Sequence, residues 1–333
     1  MPNSPTEEEA LRARAAVGLA DLGSSVLLRA TGGDRVSFLH RMVSCDVKSV
    51  PEGRVVPGLL LTAKGKVVAD FLLGVLPDRV EMRAGPGARP ALRDGLARFV
   101  IADDCVLEDR SGVAGLISFL GPRAAEAAAG VVAVAIPEDG AVEADCQGAR
   151  VLLYRCRRAG LPAVDIAADV RDLPGLLDAA AVALARHDGC LLGPGALEVL
   201  RIEGGEPRLG AEFDGETLPQ EAGLTGHVSF TKGCFLGQEP VARLQNRGHT
   251  NRGLAGLLLD PDAAVPERGA LVLDGEREVG AVTSACRSPS LGRPVALALL
   301  RHESSSPGTR LGLRTAGGVL SCAVTGLPFV AGH

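Results

Sequence analysis

From Asn251 to its end, the chain consists of short apolar segments that alternate with turns. Six such segments follow one another: LAGLLL, GALVL, EREVGAVTSA, RPVALALLR, TRLGLRT and GVLSCAVTG. Asp274-Gly275, between the second and third segments, is a strong signal for a two-residue hairpin turn. Many short strands at even spacing are typical of small closed sheets. We therefore predict a separate antiparallel β-barrel domain over residues 251–333.

Residues 1–250 mix helical and strand patterns. Thr6 and Glu9 form a capping-box pattern that predicts a first helix, and a hairpin is predicted around Ala63-Lys64-Gly65. Strands and helices interleave without a strict βαβ rhythm, which favours an α+β fold over a doubly wound sheet. A chain of 333 residues is expected to hold two or three domains. We expect residues 1–250 to form one α+β region with two subdomains.

The composition excludes several classes of protein. Hydrophobic residues make up 46% of the chain and the net charge is −5, without any Lys/Arg run, so direct nucleic-acid binding is not expected. No stretch approaches the roughly 20 apolar residues that cross a bilayer. The acidic N-terminal segment is unlike a mitochondrial presequence. These features predict a cytoplasmic protein without membrane contact.

The eight cysteines are dispersed and include no CxxC pair. In a cytosolic chain, such cysteines are typically reduced and mostly buried as small apolar residues. The local spacing shows neither a zinc site nor a complete cysteine site for an iron–sulfur cluster. We therefore predict no metal site.

One segment, Thr231–Glu239, differs from the rest of the chain. Gly233 and Gly237 allow the backbone to turn sharply around Cys234. A helix is predicted to begin at Gln238, with Pro240 in its first turn, so Cys234 would lie near a helix N-terminus. That position, and Lys232 two residues away, would stabilise a thiolate and lower the pKa of the Cys234 thiol.

Alternative interpretations of this segment remain open. Cys234 is equally consistent with one more buried small residue. A papain-like protease fits poorly, because the oxyanion-hole glutamine should precede the cysteine and Gln238 follows it. His227 and His249 are candidates to reach the thiol, although each is more often a surface or core histidine.

The residues Lys232–Glu239, KGCFLGQE, resemble the K-G-C-[FY]-x-G-Q-E motif of the YgfZ family, folate-binding relatives of the glycine-cleavage T-protein. The resemblance covers almost the whole chain, including the arginine-containing segment Leu200–Leu224 and the C-terminal VGAVTSACRSPSLGRPVALALL. One departure is Cys45, where the family usually has Asn in Thr-Asn-Asp-Val. The resemblance implies a T-protein-like α+β fold with a C-terminal antiparallel β-barrel.

The resemblance also implies tetrahydrofolate as the cofactor. A folate site needs a carboxylate for the pterin edge, apolar walls and an arginine for the anionic tail. Asp70 is the implied carboxylate near the reactive part of the cofactor, and Arg201 the implied contact for polar groups of the ligand. Gln238 and Glu239 are further cofactor-binding candidates. For Asp70 and Arg201, the alternative is a structural ion pair.

The middle of the chain departs from true aminomethyltransferases, which resemble this sequence but carry Gly-Tyr-Thr-Gly-Glu, with the Glu contacting the pterin. Here the region reads Arg157–Asp165, without that tyrosine and glutamate, and Asp165 is at best a displaced substitute. An unpaired pterin edge in a closed pocket costs on the order of 1–3 kcal/mol. Glycine-cleavage activity is therefore not expected.

Three functions follow from these features. The first, which the resemblance to the YgfZ family implies, is a tetrahydrofolate-dependent accessory protein that supports iron–sulfur client proteins such as tRNA-modifying methylthiotransferases, with Cys234, Lys232 and Asp70 as functional groups. One cysteine cannot hold a cluster alone, so a partner or small-molecule ligands would be needed. The second is a folate-dependent one-carbon transferase or demethylase. The third is a non-catalytic interaction scaffold in which the cysteine motif is a structural turn.

Overall fold

A computed structural model describes residues 4–248 and 250–332. Within these ranges the chain forms seven α-helices and seventeen β-strands. The helices are α1 (Pro5–Ala15), α2 (Arg35–Met42), α3 (Arg89–Ala97), α4 (Ala124–Ala129), α5 (Leu173–Arg186), α6 (Pro194–Glu203) and α7 (Gln238–Arg247).

Eleven of the strands precede α7. They are β1 (Gly18–Asp21), β2 (Val26–Thr31), β3 (Arg54–Leu61), β4 (Val67–Val75), β5 (Val80–Ala84), β6 (Val106–Asp109), β7 (Ala114–Leu120), β8 (Ala141–Cys146), β9 (Ala149–Arg158), β10 (Leu161–Asp169) and β11 (Cys190–Leu191). Six follow it: β12 (Arg252–Leu259), β13 (Leu271–Asp274), β14 (Arg277–Ser288), β15 (Arg293–Arg301), β16 (Arg310–Thr315) and β17 (Gly318–Thr325).

The first eleven strands form two sheets. One has the order β3-β4-β5-β2-β6, and the other has the order β11-β1-β7-β10-β9-β8. Neighbouring strands pair antiparallel except β1 and β11, which pair parallel. Each sheet packs helices against one apolar core. The predicted α+β fold is therefore confirmed, since a doubly wound parallel sheet would need helical crossovers between strands.

The last six strands close into an antiparallel barrel with the order β12-β15-β14-β13-β16-β17. Its interior holds fully buried aliphatic side chains such as Leu257, Val272 and Leu313. The hairpin between β13 and β14 turns at Gly275, whose φ is 62°, as the Asp-Gly pair predicted. The predicted C-terminal barrel is confirmed.

The first helix begins earlier than its sequence pattern indicated. Ser4, not Thr6, is the N-cap residue, and its side chain and that of Glu7 form the capping box. Pro5 explains the difference, because proline is favoured at the first helical position and its fixed φ starts the helix there. The predicted capping box at Thr6 and Glu9 therefore lies two residues after the observed one.

Helix α6 ties the barrel to the rest of the chain through Glu203, whose side chain is fully buried. The carboxylate accepts hydrogen bonds from Ser288 Oγ and from Ser290 Oγ (3.0 Å) on the barrel side. On the other side, Arg14 Nε of α1 donates to it at 2.6 Å. Because a buried carboxylate is stable only when its oxygens are paired, these bonds fix the position of α6.

Candidate functional site

A cavity of about 460 Å³ lies where the two sheets meet the loop that follows α6. This volume is within the range of small-molecule sites. Its charged or titratable lining side chains come from β4, β5, the end of β9 and two later loop segments: Asp70, Arg83, Arg157, Arg158, Glu206 and His227. Apolar walls are supplied by side chains that include Leu22, Pro57, Phe71 and Leu116. The cavity thus combines apolar walls with a few polar groups.

Asp70 reaches this cavity because of the period-2 pattern of β4. Ala69 and Leu73 are fully buried in the core of the first sheet, whereas Asp70 and Leu72 alternate with them and line the cavity. Burial raises the pKa of the Asp70 carboxyl to about 6; Glu206 also raises it, and Arg158 opposes the shift. A carboxyl group with this pKa is mostly ionised at pH 7 but close to its protonation range.

Two arginines of the cavity share a buried carboxylate beneath it. Asp165 on β10 is completely buried, contacts Arg83 as an ion pair, and accepts a hydrogen bond from Arg158 Nη2 at 2.8 Å. Arg83 Nη2 also donates to Cys156 Sγ at 2.9 Å. Asp165 does not line the cavity, so its carboxylate offsets the positive charge of Arg83 and Arg158 from the buried side. The sequence interpretation of Asp165 as a displaced pterin contact is not supported by this placement.

The turn between β9 and β10 brings Arg157 and Arg158 to the cavity. Ala159 and Gly160 both have positive φ angles, 52° and 72°, the conformation of a type I′ hairpin turn. A non-glycine residue is strained in this region, and the strained peptide is held because Ala159 N donates to the Glu206 carboxylate. Glu206, which was not identified from the sequence, therefore fixes the turn and lines the cavity.

Three residues that line the cavity each contain a polar atom that is shielded from solvent and has no hydrogen-bond partner among the described residues. These atoms are Arg83 Nε, Arg158 Nε and His227 Nδ1. The available groups suit folate, since carboxylates and guanidinium groups can contact a pterin edge and an anionic tail.

Lys232 is placed differently from the sequence prediction. Its Nζ donates to the backbone carbonyls of His40 (2.5 Å), Val43 (2.6 Å) and Cys45 (2.8 Å), at and beyond the end of α2. An ammonium group has three protons, so all of its donors are used. The Lys232 ammonium group therefore binds the backbone, and its predicted effect on the Cys234 thiol stays a prediction. Burial lowers the pKa of Lys232 to about 8.

Gly237 joins the same loop to the first hairpin. Its φ is 79°, and a Cβ atom built on it would lie 2.3 Å from Thr62 O. Left-handed backbone and this close approach both require glycine. Lys232 at one end of the motif and Gly237 near the other therefore both have structural roles.

We predict that Gly237→Ala lowers the free energy of unfolding by about 2–4 kcal/mol, because the added Cβ is strained in φ and collides with a backbone oxygen. Gly233→Ala is the matched control, since no atom lies within 4 Å of its Cβ position and its φ is not left-handed. The control should change stability by no more than about 0.5 kcal/mol. Denaturant unfolding of both variants measures the difference, and equal stabilities would contradict this account of the loop.

The remaining residues of the motif do not line the cavity. Cys234 is exposed, three residues before the N-cap of α7, whereas six of the other seven cysteines are buried. Glu239 is exposed and forms an (i, i+4) ion pair with Arg243 at 2.7 Å. Gln238 begins α7 and is also absent from the cavity lining. His249, the other histidine considered for the thiol, lies outside the described residues.

Arg201 is also outside the cavity lining and sits in an ion-pair network. Its guanidinium group donates to Glu212 at 2.9 Å, to both oxygens of Glu198 (2.8 and 3.0 Å), and to Ser284 Oγ of the barrel at 2.7 Å. Glu206 O accepts a further bond at 2.6 Å. The structure thus places Arg201 as a link between α6 and the barrel, and not beside Asp70.

Within the described ranges, no group of three or more His, Cys, Asp or Glu residues could hold a metal ion. No helix in these ranges has the length and apolar character needed to cross a membrane.

Comparison with known proteins is consistent with this architecture. Residues 3–232 match the family model of the GCVT N-terminal domain. Residues 252–331 match that of the glycine cleavage T-protein C-terminal barrel domain. The chain therefore belongs to the glycine cleavage T-protein family, which confirms the predicted fold.

Individual relatives span most of the chain. An aminomethyltransferase from Chlorobium luteolum is 30% identical over 332 residues, which cover 95% of this chain and 88% of the relative. One from Saccharopolyspora erythraea is 29% identical over 326 residues, covering 95% and 87%. The crystal structure of glycine cleavage system aminomethyltransferase T from Bartonella henselae has a TM-score of 0.89 at 24% identity, covering 98% of this chain and 90% of that chain.

Proposed function

We propose that this protein binds tetrahydrofolate in the Asp70 cavity and transfers a one-carbon unit. The observation that carries the proposal is Asp70 itself, a carboxylate with a raised pKa in a cavity of small-molecule size. The similarity to aminomethyltransferases supports a folate-dependent transferase. This is the alternative that the sequence left open, and it now has more support than the accessory role.

Different cavity residues are suited to different parts of the ligand. The Asp70 and Glu206 carboxylates can accept hydrogen bonds from the pterin edge, and the guanidinium groups of Arg83 and Arg158 can donate to it. Arg157 lines the cavity and is exposed, so it replaces Arg201 in our proposal as the contact for the anionic tail. Guanidinium groups bind carboxylates in bidentate geometry, through two parallel hydrogen bonds, which suits the anionic tail.

Bound tetrahydrofolate supplies neighbouring nitrogen atoms that carry a one-carbon unit. Asp70 contributes a carboxylate that can accept and return a proton near neutral pH, because its pKa is about 6. Asp70 also places negative charge in a cavity where burial strengthens electrostatic interactions. Arg158 limits how far the pKa of Asp70 rises, so the carboxyl remains mostly ionised at pH 7.

The reaction is expected to differ from the glycine-cleavage reaction. The Gly-Tyr-Thr-Gly-Glu segment of aminomethyltransferases is replaced here by residues that include Arg157, Arg158 and Leu161. Two of these side chains place positive charge at the cavity. We propose that the protein acts on a different substrate within the same class of folate-dependent transfer.

A second candidate function rests on the exposure of Cys234. An accessible thiol on a loop held by Lys232 and Gly237 can meet a partner protein without disturbing the fold. It supports the accessory role in iron–sulfur protein maintenance that the YgfZ resemblance implies, with tRNA-modifying client enzymes as partners. In that role tetrahydrofolate would bind at the same cavity.

Cys234→Ser separates the two candidates. Because Cys234 is exposed and outside the cavity, we predict that the change alters stability by no more than about 0.5 kcal/mol and leaves tetrahydrofolate affinity unchanged. Activity of iron–sulfur client enzymes in cells that contain only the variant is the discriminating measurement. Lost client activity favours the accessory role, whereas normal client activity favours one-carbon transfer without the thiol.

Thermal unfolding with added tetrahydrofolate tests the proposal on the wild-type protein. A ligand that binds only the folded state raises Tm as its concentration exceeds Kd. We expect a saturable rise in Tm with tetrahydrofolate. Unchanged Tm at millimolar ligand would contradict the proposed function.

A further inference from the structure

A second cavity, of about 500 Å³, lies between the two sheets. Its lining comes mainly from β2 and β5 of one sheet and from β8, β9 and β10 of the other, and it shares no residue with the Asp70 cavity. Along β5, Val80 and Met82 are buried in the core of the first sheet, so Glu81 and Arg83 lie on the opposite face. Glu81 lines the second cavity, whereas Arg83 lines the Asp70 cavity. The two cavities are therefore separate openings along the space between the sheets.

The side chain of Tyr154 on β9 reaches the second cavity with its hydroxyl group. The residue lines this cavity and is 2% exposed, and the Arg83 guanidinium lies 4.8 Å from the centre of its ring. Within the described residues the hydroxyl has no hydrogen-bond partner, and its oxygen is not fully shielded. The oxygen therefore contributes to the small accessible surface of the residue. Burial raises the pKa of the Tyr154 phenol, so at pH 7 the hydroxyl keeps its proton and can donate a hydrogen bond.

The carboxylates of the second cavity are already paired with arginines. Four of the five bind a guanidinium group: Asp78, Glu81, Glu143 and Asp169. Arg79 uses each of its three nitrogen atoms on one of the first three. Arg171 donates to both oxygens of Asp169, at 2.8 and 2.9 Å, and interacts electrostatically with the fifth carboxylate, Asp172. The negative charge at this cavity is thus largely balanced within the protein.

Three guanidinium groups of the second cavity retain N–H donors that the protein does not use. They belong to Arg29, Arg110 and Arg150. Within the described residues, Arg29 uses Nε and Nη2 on Glu81, and Arg110 uses Nη1 on a carboxylate outside the cavity. Arg150 is 86% exposed, and the nearest oxygen of its partner Glu143 is 4.0 Å away. Because a guanidinium group carries five N–H donors, each of the three can also bind a ligand.

We propose that the second cavity binds a small organic anion, whose carboxylate or phosphate group accepts hydrogen bonds from the Tyr154 hydroxyl and from the guanidinium groups of Arg29, Arg110 and Arg150. Carboxylate and phosphate share the geometry that guanidinium groups bind through two parallel hydrogen bonds. The volume is within the range of small-molecule sites. This site goes beyond the proposed function, because none of its residues lines the Asp70 cavity.

Calorimetric titration of the whole protein with sodium pyrophosphate and with sodium glutarate tests the site, with NaCl at equal ionic strength as the blank. We expect saturable binding of at least one probe by wild type. Tyr154→Phe should weaken that binding about tenfold, the effect of one lost hydrogen bond to a charged group. Arg150→Met should weaken it about two- to fivefold, since its guanidinium group is exposed.

Arg243→Met is the matched control for the loss of one positive charge. Arg243 is 70% exposed, pairs with Glu239, and lines neither cavity. This variant should bind the probes as wild type does. Tyr154→Phe keeps the buried ring and removes a hydroxyl without a partner in the described residues, so its unfolding midpoint should equal that of wild type.

A second titration, with tetrahydrofolate present at saturation, separates this site from the Asp70 cavity. We expect anion binding to persist. Competition between the two ligands would place the anion in the Asp70 cavity and overturn the inference. Absence of binding of both probes would also overturn it, as would unchanged affinity in both Tyr154→Phe and Arg150→Met.

The two probes also distinguish the sources of the anion. Binding of pyrophosphate alone identifies a phosphate ligand, and binding of glutarate alone identifies a carboxylate; either result supports the site. The first titration contains no tetrahydrofolate, so failure of the proposed function leaves this test intact.

Discussion

Arg201→Met should lower the free energy of unfolding by about 3–5 kcal/mol, the largest effect on stability that we expect. The change leaves Glu212, which is completely buried, without its cationic partner. It also removes the bond from α6 to Ser284 of the barrel. A buried charge without a partner is far more destabilising than the loss of an exposed ion pair.

Arg208→Met is the matched control for this prediction. Arg208 pairs with Glu198, as Arg201 does, but its side chain is 54% exposed. Arg208→Met should lower the free energy of unfolding by less than about 1 kcal/mol. Denaturant unfolding of both variants gives the comparison. If Arg201→Met were as stable as the control, and instead weakened tetrahydrofolate binding alone, Arg201 would be a ligand contact after all.

Asp70→Asn should stabilise the ligand-free protein at neutral pH. The pKa of Asp70 is raised from 3.8 to about 6. Between these pH values the folded state binds more protons than the unfolded state, so stability falls as pH rises from about 4 to about 6 and stays lower above it. A shift of about two pKa units corresponds to about 3 kcal/mol. Asp70→Asn has no carboxylate to ionise in the folded state, so it avoids this loss of stability. It should be about 1–3 kcal/mol more stable than wild type at pH 7.5.

Urea unfolding of wild type and Asp70→Asn at pH 4 and at pH 7.5 measures this effect. The two proteins should be close in stability at pH 4, because wild-type Asp70 is then protonated in the folded state. Asp78→Asn is a suitable control, since Asp78 is 72% exposed and lies outside this cavity. A variant that is less stable than wild type at pH 7.5 would contradict the burial of a charged Asp70.

The parts of the fold that were predictable are those specified by local patterns. The hairpin at Gly275 and the start of α7 at Gln238 follow from turn and helix-capping chemistry within a few residues. Asp70 was identified by resemblance, and the alternation along β4 then places it at the cavity. The hairpin and the helix start depend on neighbouring residues, so one sequence was sufficient to find them, whereas Asp70 needed the family resemblance.

The rest of the site depends on contacts between distant segments. Arg158, Glu206 and His227 belong to three separate parts of the chain, and only the tertiary fold brings them to one cavity. The three carbonyl partners of Lys232 lie 187 to 192 residues away in sequence. No local pattern could show that its ammonium group binds these three carbonyls.

The sequence around Arg201 contains a pattern that indicates a structural ion pair. Glu198 lies three residues earlier on the same helix, where (i, i+3) side chains meet, and it forms the ion pair seen here. That spacing favours a structural ion pair over a free guanidinium group. The pairing with Glu212 and the barrel, by contrast, could be seen only in the folded structure.

The central claim is that the Asp70 cavity binds tetrahydrofolate. Calorimetric titration of wild type, Asp70→Asn and Asp78→Asn with tetrahydrofolate at pH 7.5 tests it most directly. We predict saturable binding by wild type and Asp78→Asn, and affinity reduced about 10- to 100-fold in Asp70→Asn, because a charge-assisted hydrogen bond is lost. Absence of binding by folded wild type, or equal affinity in all three proteins, would contradict the claim.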